Sequence, residues 1–272
     1  DRVGAAVKNN EGEWVLLNGN QTALMFVYYL ITRWKELGKI NGKEYIVKTI
    51  VTTETIKTIA ERNGVEMYDV YTGFKWIANV MRENEGKKNY IGGGEESYGF
   101  LCEDFVRDKD AVSACVILAE IAAWAKDQGL SLYQLLQKIY VEYGFSKEKG
   151  ISVVKKGKSG AEEIEAMMKK FRENPLTEIA GSKVTYFYDY STLKGKDYAE
   201  NETVTLDMPT TSNVLQYFTE DNTKVSIRPS GTEPKIKFYC EVHSTVKSID
   251  ELPEAEKAAE EKINQIKASL GI

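Results

Sequence analysis

The apolar positions near the start of the chain predict two short strands and a helix. Apolar residues recur over 3–7 and 14–17, and a polar turn separates the two runs. A long apolar stretch then follows Asn20, which predicts a helix capped by Asn20 and stopped by Gly38. The uninterrupted apolar run 23–31 predicts that this helix lies in a core.

Strand and helix patterns then alternate. β-branched residues dominate 45–52, a helical pattern ends at Gly64, residues 65–71 read as a strand, and a second helical pattern ends near Gly86. A third strand begins at Tyr90. This order is typical of a parallel sheet with crossover helices.

The next segment predicts two core helices and then a break. The helices span 111–128 and 132–143, and a strand at 151–155 precedes an amphipathic helix at 161–172. Proline and glycine interrupt the pattern within 173–182, so we place a domain boundary at residues 180 and 181.

The last third has a different pattern, with four strands and one closing helix. The strands are predicted at 183–190, 214–219, 224–228 and 236–242, and the helix at 252–270. The expected fold class is α/β, with a mixed, largely parallel sheet and crossover helices over 9–180. A smaller α+β domain over 181–272 follows, with an antiparallel sheet and a C-terminal helix.

Composition excludes several classes of function. The chain has 272 residues, 42% of them apolar and 28% charged, and its longest apolar run, 23–31, is well below the roughly 20 residues that span a bilayer. The net charge of −5 comes from well mixed charges, so no basic stripe predicts nucleic-acid binding. We therefore expect neither a membrane nor a nucleic-acid partner.

The cysteines, the histidine and the first residues bear on the cellular location, the catalytic chemistry and the length of the parent protein. The three cysteines, Cys102, Cys115 and Cys240, lack C-x-x-C spacing, which favours a reducing, cytoplasmic location over disulfides or zinc. The single histidine, His243, is interpreted as a strand-end residue rather than a catalytic base. The opening DRVGAAV reads as the inside of a fold, which predicts the later part of a longer protein.

One candidate site is IGGGEESYGF, residues 91–100. Carboxylates accept hydrogen bonds in pairs, so Glu95 and Ser97 on a glycine turn are suited to vicinal hydroxyls of a sugar. The glycines would let the sugar ring approach the backbone. A tight turn with solvated carboxylates is the alternative, and the segment does not fit the G-x-G-x-x-G dinucleotide pattern.

A second candidate is RPSGTEP, residues 228–234. Arg228 offers a planar fork of donors, Ser230 and Thr232 offer hydroxyls, and the turn at Gly231 can aim backbone N–H groups at one point. These features favour a phosphate cradle, and an ordinary hairpin turn is the alternative. With the first candidate, they predict a sugar phosphate bound across an interdomain cleft.

The two motifs together carry a family resemblance. GEESYG at 94–99 and RPSGTEPKIKFY at 228–239 resemble the α-D-phosphohexomutase family, the phosphoglucomutases and phosphomannomutases. TGFKWI at 72–77 is similar to a turn in the family's third domain, and the opening Asp-Arg resembles the end of its D-x-D-x-D-R metal loop. The resemblance implies the third and fourth of four domains, with residues 1–8 as a remnant of the second.

The resemblance also implies roles for individual residues. Glu95 and Ser97 would bind sugar hydroxyls, and Arg228, Ser230, Gly231 and Thr232 would hold the non-reacting phosphate. Further substrate contacts are implied for Lys109, Arg2, Thr72 and Gly73, and Lys75 is a further candidate. Exposed surface positions are the alternative for both lysines. Asp1 would be the remaining ligand of an incomplete Mg²⁺ site, or simply a disordered terminus.

The implied activity is the interconversion of hexose 1-phosphate and hexose 6-phosphate through a phosphoserine and a bisphosphate intermediate. The phosphoserine would belong to missing N-terminal domains of the same protein, so the fragment itself is expected to be inactive. A free-standing sugar-phosphate binding module and a phosphopentomutase are the alternatives. A nucleotide-dependent oxidoreductase is disfavoured.

Overall fold

The computed structural model describes residues 1–155, 157–231 and 233–272, with only the backbone of Lys158. The chain forms two compact units. The first contains residues 1–145 and 245–250, and the second contains residues 146–244 and 251–272. Each unit has its own sheet.

The first unit begins with the antiparallel hairpin of β1 (Ala5–Lys8) and β2 (Trp14–Leu17), followed by α1 (Gly19–Glu36). The elements that follow are β3 (Glu44–Thr49), α2 (Thr55–Arg62), β4 (Glu66–Val70), α3 (Phe74–Asn84), β5 (Asn89–Gly94), β6 (Phe100–Cys102), α4 (Ala111–Asp127) and α5 (Leu132–Tyr143). The sheet order is β4-β3-β5-β6, with β3, β4 and β5 parallel and β6 antiparallel. The predicted mixed, largely parallel sheet is confirmed.

The start of α1 differs from the prediction. Asn18, not Asn20, is the N-cap, because Asn18 and Gln21 form a reciprocal capping box. Asn20 lies inside the helix, where its side-chain oxygen accepts a hydrogen bond from the Thr53 N–H at 3.0 Å. Twelve residues of α1 are buried, as the long apolar run indicated.

The three glycines of the first motif lie in a strand, so the predicted glycine turn is wrong at residues 92–94. They form the end of β5 and pair with β3 on one side and β6 on the other. A Cβ added to Gly93 would lie 2.3 Å from the Val47 carbonyl oxygen, so close strand contact explains the glycine. The turn itself is limited to the residues between β5 and β6.

The second unit is built on an eight-stranded sheet. Its elements are β7 (Phe145–Val154), α6 (Gly157–Glu173), β8 (Glu178–Ile179), β9 (Ser182–Asp189), β10 (Lys194–Asp197), β11 (Glu202–Thr205), β12 (Leu215–Thr219), β13 (Lys224–Pro229), β14 (Lys235–Ser244) and α7 (Leu252–Leu270). The order is β11-β10-β9-β12-β13-β14-β7, and β8 pairs with β9. The antiparallel sheet and the closing helix are confirmed, and His243 lies near the end of β14.

The two units divide at residue 145, earlier than the boundary expected at residue 180. The reason is that β7 joins the second sheet beside β14, and α6 packs on β14. Strands β10 and β11 were not predicted, because KGKD and ETVT lack the apolar alternation of a half-buried strand. Within the described residues, no helix is both long and apolar enough to cross a membrane.

The structure predicts a difference in reactivity among the cysteines. Burial raises the pKa of the Cys102 and Cys240 thiols to about 12, whereas Cys115 is exposed on α4. Because the thiolate is the reacting form, we expect an aromatic disulfide reagent at pH 8 to modify Cys115 in the folded protein and the other two only after denaturation. Peptide mapping measures this, and modification of Cys102 or Cys240 without unfolding would contradict their placement.

Candidate functional site

Glu95 lies in the turn between β5 and β6, where contacts with this turn and with the start of α3 hold it. Its N–H donates to the Gly99 carbonyl at 2.8 Å and closes the turn. Its side chain is buried, and Oε1 accepts a hydrogen bond from the Gly73 N–H at 2.7 Å, just before α3. The fold therefore brings two predicted site residues, Glu95 and Gly73, into direct contact.

Lys109 lies against the same turn. A Cβ added to Gly99 would be 2.7 Å from Lys109 Cδ and 3.5 Å from Glu95 Oε2, so a positive and a negative side chain meet at this glycine. Lys109 Nζ is also 3.0 Å from the carboxylate of Asp108, and this hydrogen bond lowers the pKa of Asp108. The Lys109 side chain is only 15% exposed, which disfavours an ordinary surface lysine.

The first residues of the chain also reach this turn. The Val3 N–H donates to the Tyr98 carbonyl at 3.1 Å, and Asp1 Oδ2 lies 3.2 Å from Lys109 Nζ. Arg2, between them, is exposed. The segment at the start of the chain is thus attached to the Glu95 turn by a backbone hydrogen bond and an ion pair.

The remaining predicted site residues of the first unit are less buried than Glu95. Ser97 lies on the turn, and Thr72 precedes Gly73; both are half-buried. Lys75 is exposed, and its Nζ lies 5.0 Å from the centre of the Trp76 ring. The structure therefore does not link Lys75 to Glu95.

Sequence reasoning missed the residues behind the turn. The Glu96 N–H donates to Thr52 Oγ1 at 3.2 Å, and Thr49 Oγ1 donates to Glu96 Oε2 at 3.3 Å. The available signal was the run of hydroxyls that follows the apolar part of β3, since residues there lie at the carboxyl edge of the parallel sheet, where ligands bind. Tyr98 was also missed. It is 41% exposed at the turn, with a φ of 73°.

The described residues do not form a Mg²⁺ site by themselves. Asp1 offers one carboxylate, which already pairs with Lys109. In the part of the chain that the structure describes, no group of three or more Asp, Glu, His or Cys side chains is arranged to hold a metal ion.

The second motif joins β13 to β14. Arg228 is partly buried near the end of β13, opposite Lys237 on β14. The Ser230 N–H donates to the Lys235 carbonyl at 2.8 Å, so the turn itself uses this donor. Thr232 lies outside the described residues. Arg228, Lys235 and Lys237 flank the loop and supply positive charge. The Glu233 carboxylate, 2.5 Å from Lys235 Nζ, partly offsets it.

Among the described residues, no contact requires glycine at position 231. Its φ is not in the left-handed region, and a Cβ added there would meet no atom within 4 Å. Gly231 is exposed at the tip of the loop. The open space leaves room for a ligand to approach the backbone, as a phosphate cradle requires.

Comparisons with known proteins match both units. Residues 18–143 match the sequence profile described as phosphoglucomutase/phosphomannomutase, alpha/beta/alpha domain III, and residues 152–259 match that of the C-terminal domain. The chain belongs to the phosphoglucomutase/phosphomannomutase family. It contains the family's domain III and C-terminal domain.

Two curated relatives are phosphoglucomutases from Staphylococcus. The protein of S. aureus strain MRSA252 is 37% identical over 239 residues, which are 88% of this chain and 42% of the relative. That of S. haemolyticus is 33% identical over 243 residues, 89% of this chain and 43% of the relative. The chain therefore spans less than half the length of these relatives.

Solved structures support the fold. The phosphoglucomutase pp63/parafusin from Paramecium aligns over 98% of this chain and 44% of its own, with a TM-score of 0.57 at 16% identity. A phosphoglucomutase/phosphomannomutase family protein from Burkholderia thailandensis aligns over 99% and 44%, also with a TM-score of 0.57 and 16% identity. At this identity the likeness concerns the fold alone.

Close packing between α1 and the turn generates a stability prediction. A Cβ added to Gly19 would lie 2.0 Å from the Glu96 carbonyl oxygen and 2.7 Å from the Tyr98 nitrogen. We expect Gly19→Ala to lower the free energy of unfolding by about 1–3 kcal/mol, because backbone must shift to relieve the overlap. The control is Gly4→Ala, where an added Cβ meets no atom within 4 Å. Equal stability of the two variants in urea titrations would contradict the contact.

Proposed function

We propose that this chain is the substrate-binding part of a phosphohexomutase, which interconverts hexose 1-phosphate and hexose 6-phosphate. The observation that carries the proposal is the geometry of the Glu95 turn. There the buried Glu95 carboxylate accepts a hydrogen bond from the Gly73 N–H and lies beside Lys109. Family membership supports it, and so does the loop of the second unit that begins with RPSG at residues 228–231, here called the RPSG loop. The whole mutase would also need a phosphoserine, which we place in the longer protein.

In this proposal the first unit binds the sugar. One oxygen of Glu95 is held by the Gly73 N–H, so the other is the natural acceptor for sugar hydroxyls. Ser97 donates and accepts beside it. Lys109 would neutralise phosphoryl charge near the sugar, and Arg2, Thr72 and Gly73 would border the substrate. Because these acceptors are already fixed by the fold, the reacting hydroxyl would be placed without the protein having to order its side chains first.

The second unit would hold the phosphate that does not react. Arg228 supplies a planar pair of donors, and Ser230, Gly231 and Thr232 complete the cradle. Lys235 and Lys237 add long-range attraction for an anion. The proposed role of this loop is binding, because the proposal assigns phosphoryl transfer itself to the phosphoserine of the longer protein.

The proposed chemistry explains why hydroxyls and a distal phosphate are recognised separately. In phosphoryl transfer, catalysis is mostly positioning and charge neutralisation. A bisphosphate intermediate must turn around between the two transfers, so the binding groups have to accept both orientations. Equatorial hydroxyls and one remote phosphate are common to both. Mg²⁺ enters the proposal only as a cofactor of the longer protein.

Arg228→Lys tests the phosphate role. The variant keeps the charge but loses the planar fork, so we expect affinity for glucose 1-phosphate to fall about tenfold while the thermal midpoint stays nearly unchanged. The measurement is calorimetric titration at fixed ionic strength. Mannose 1-phosphate and ribose 1-phosphate are titrated alongside to rank hexoses against a pentose.

The matched control for this test is Arg172→Lys. Arg172 lies near the C-terminal end of α6, and its guanidinium donates hydrogen bonds to Asp189 and Asn213. Because these are structural contacts, the control should lower stability and leave affinity unchanged. If Arg228→Lys instead binds as well as the wild type, RPSGTEP is only a turn. If both variants have a lower thermal midpoint and unchanged affinity for glucose 1-phosphate, Arg228 has a structural role.

A second prediction concerns turnover. We expect residues 1–272 to bind glucose 1-phosphate without producing glucose 6-phosphate, because the proposed phosphoryl donor is not among these residues. A coupled glucose 6-phosphate dehydrogenase assay, with Mg²⁺ and glucose 1,6-bisphosphate added, measures this. A Staphylococcus phosphoglucomutase provides the positive control. Turnover that copurifies with the chain and is lost in Glu95→Gln would refute the assignment of the donor to the longer protein.

A further inference from the structure

The carboxyl end of β3 forms a closed hydrogen-bond circuit with the Glu95 turn. Thr49 and Thr52 are both fully buried, and their Oγ1 atoms lie 2.8 Å apart. A hydroxyl donates one proton and accepts others. The Glu96 N–H donates to Thr52, Thr52 can donate to Thr49, and Thr49 donates to the Glu96 carboxylate. Every proton in this circuit has an acceptor.

Lys48 holds the loop that carries Thr52. It is 1% exposed, and its Nζ lies 2.9 Å from Glu54 Oε1, 2.6 Å from Asp69 Oδ1 and 3.5 Å from the Thr52 carbonyl oxygen. A buried ammonium between two carboxylates is costly to displace, because separation leaves an unpaired buried charge. The position of Thr52 is therefore set from the interior of the sheet.

We propose that Thr52, supported by Thr49 and Lys48, is a positioning residue for the sugar-binding carboxylate of Glu95. Glu95 and Glu96 share a peptide group, so fixing the Glu96 N–H also fixes the peptide plane from which the Glu95 side chain leaves. The Gly73 N–H holds the far end of that side chain. Thr52 acts on the ligand only through the turn. The inference rests on the proposed function, which assigns the sugar hydroxyls to Glu95.

The test compares Thr52→Val, which removes the acceptor, with Thr52→Ser, which retains it. We expect Thr52→Val to weaken glucose 1-phosphate binding about tenfold and Thr52→Ser to restore it, since the hydrogen bonds of Thr52 Oγ1 with the Glu96 N–H and with Thr49 are lost and regained. Binding of inorganic phosphate should stay unchanged in both variants. A merely destabilised protein would not separate the two ligands.

Two further measurements accompany the titrations. Hydrogen exchange at the Glu95 amide, which donates to Gly99, should become faster in Thr52→Val and not in Thr52→Ser. Thr223→Val is the control: Thr223 is fully buried in the second unit, with its Oγ1 donating to Asp221 at 2.9 Å. It should leave exchange at Glu95 and binding of glucose 1-phosphate unchanged. If Thr52→Val does not fold, Thr49→Val removes the other end of the circuit, the hydrogen bond to the Glu96 carboxylate, and a smaller loss of glucose 1-phosphate affinity is expected.

The outcomes separate this inference from the proposed function. Unchanged glucose 1-phosphate affinity in a folded Thr52→Val, or an equal loss for glucose 1-phosphate and phosphate, overturns the positioning role. A wild-type protein that binds phosphate but not glucose 1-phosphate overturns the proposed function, and with it any role for Thr52 in sugar binding. In that case, faster exchange at Glu95 in Thr52→Val would still support control of the turn by Thr52, and unchanged exchange would refute that as well.

Discussion

The buried carboxylate of Glu95 is the constraint on which the first unit's site depends. A carboxylate removed from water is costly unless hydrogen bonds replace its hydration. The Gly73 N–H provides one such bond at 2.7 Å, and it ties the β5–β6 turn to the start of α3. Because two separate connections meet at this bond, neither can move alone. Gly19, Val3 and Lys109 also contact the β5–β6 turn, and these contacts depend on where the turn lies.

The two candidate loops solve different physical problems. The Glu95 turn buries its Glu95 carboxylate and leaves Tyr98 exposed, so this acceptor lies in a partly desolvated setting, where direction matters more than charge. The RPSG loop projects from the end of a hairpin, with an exposed Gly231 and several basic side chains near it. Such a loop suits an anion that must bind and leave quickly, because solvent screens its charges. The ligand proposed above, a sugar phosphate, has one part suited to each.

The buried threonines show how a parallel sheet can support a site without touching a ligand. The carboxyl ends of β3, β4 and β5 lie side by side, and Lys48 on β3 is opposite Asp69 on β4 and Gly94 on β5. A lysine on the middle of these three strands therefore connects the loop after β3 to strand β4. The hydroxyls of Thr49 and Thr52 extend this control to the turn after β5. Such buried networks are stiff because each polar group has a partner.

The sequence by itself determined the features that depend on neighbouring residues. The alternation of strands and helices, the bounds of α5 over Leu132–Tyr143 and the closing helix over Leu252–Leu270 follow from local periodicity and capping. Both motifs were also visible, because their unusual residues are adjacent. Only the tertiary structure placed residues 92–94 inside a sheet and assigned β7 to the second unit. It also brought Lys109, Gly73 and Thr52 to the Glu95 turn. These are contacts between residues far apart in sequence, and strand pairing and side-chain packing decide them rather than local pattern.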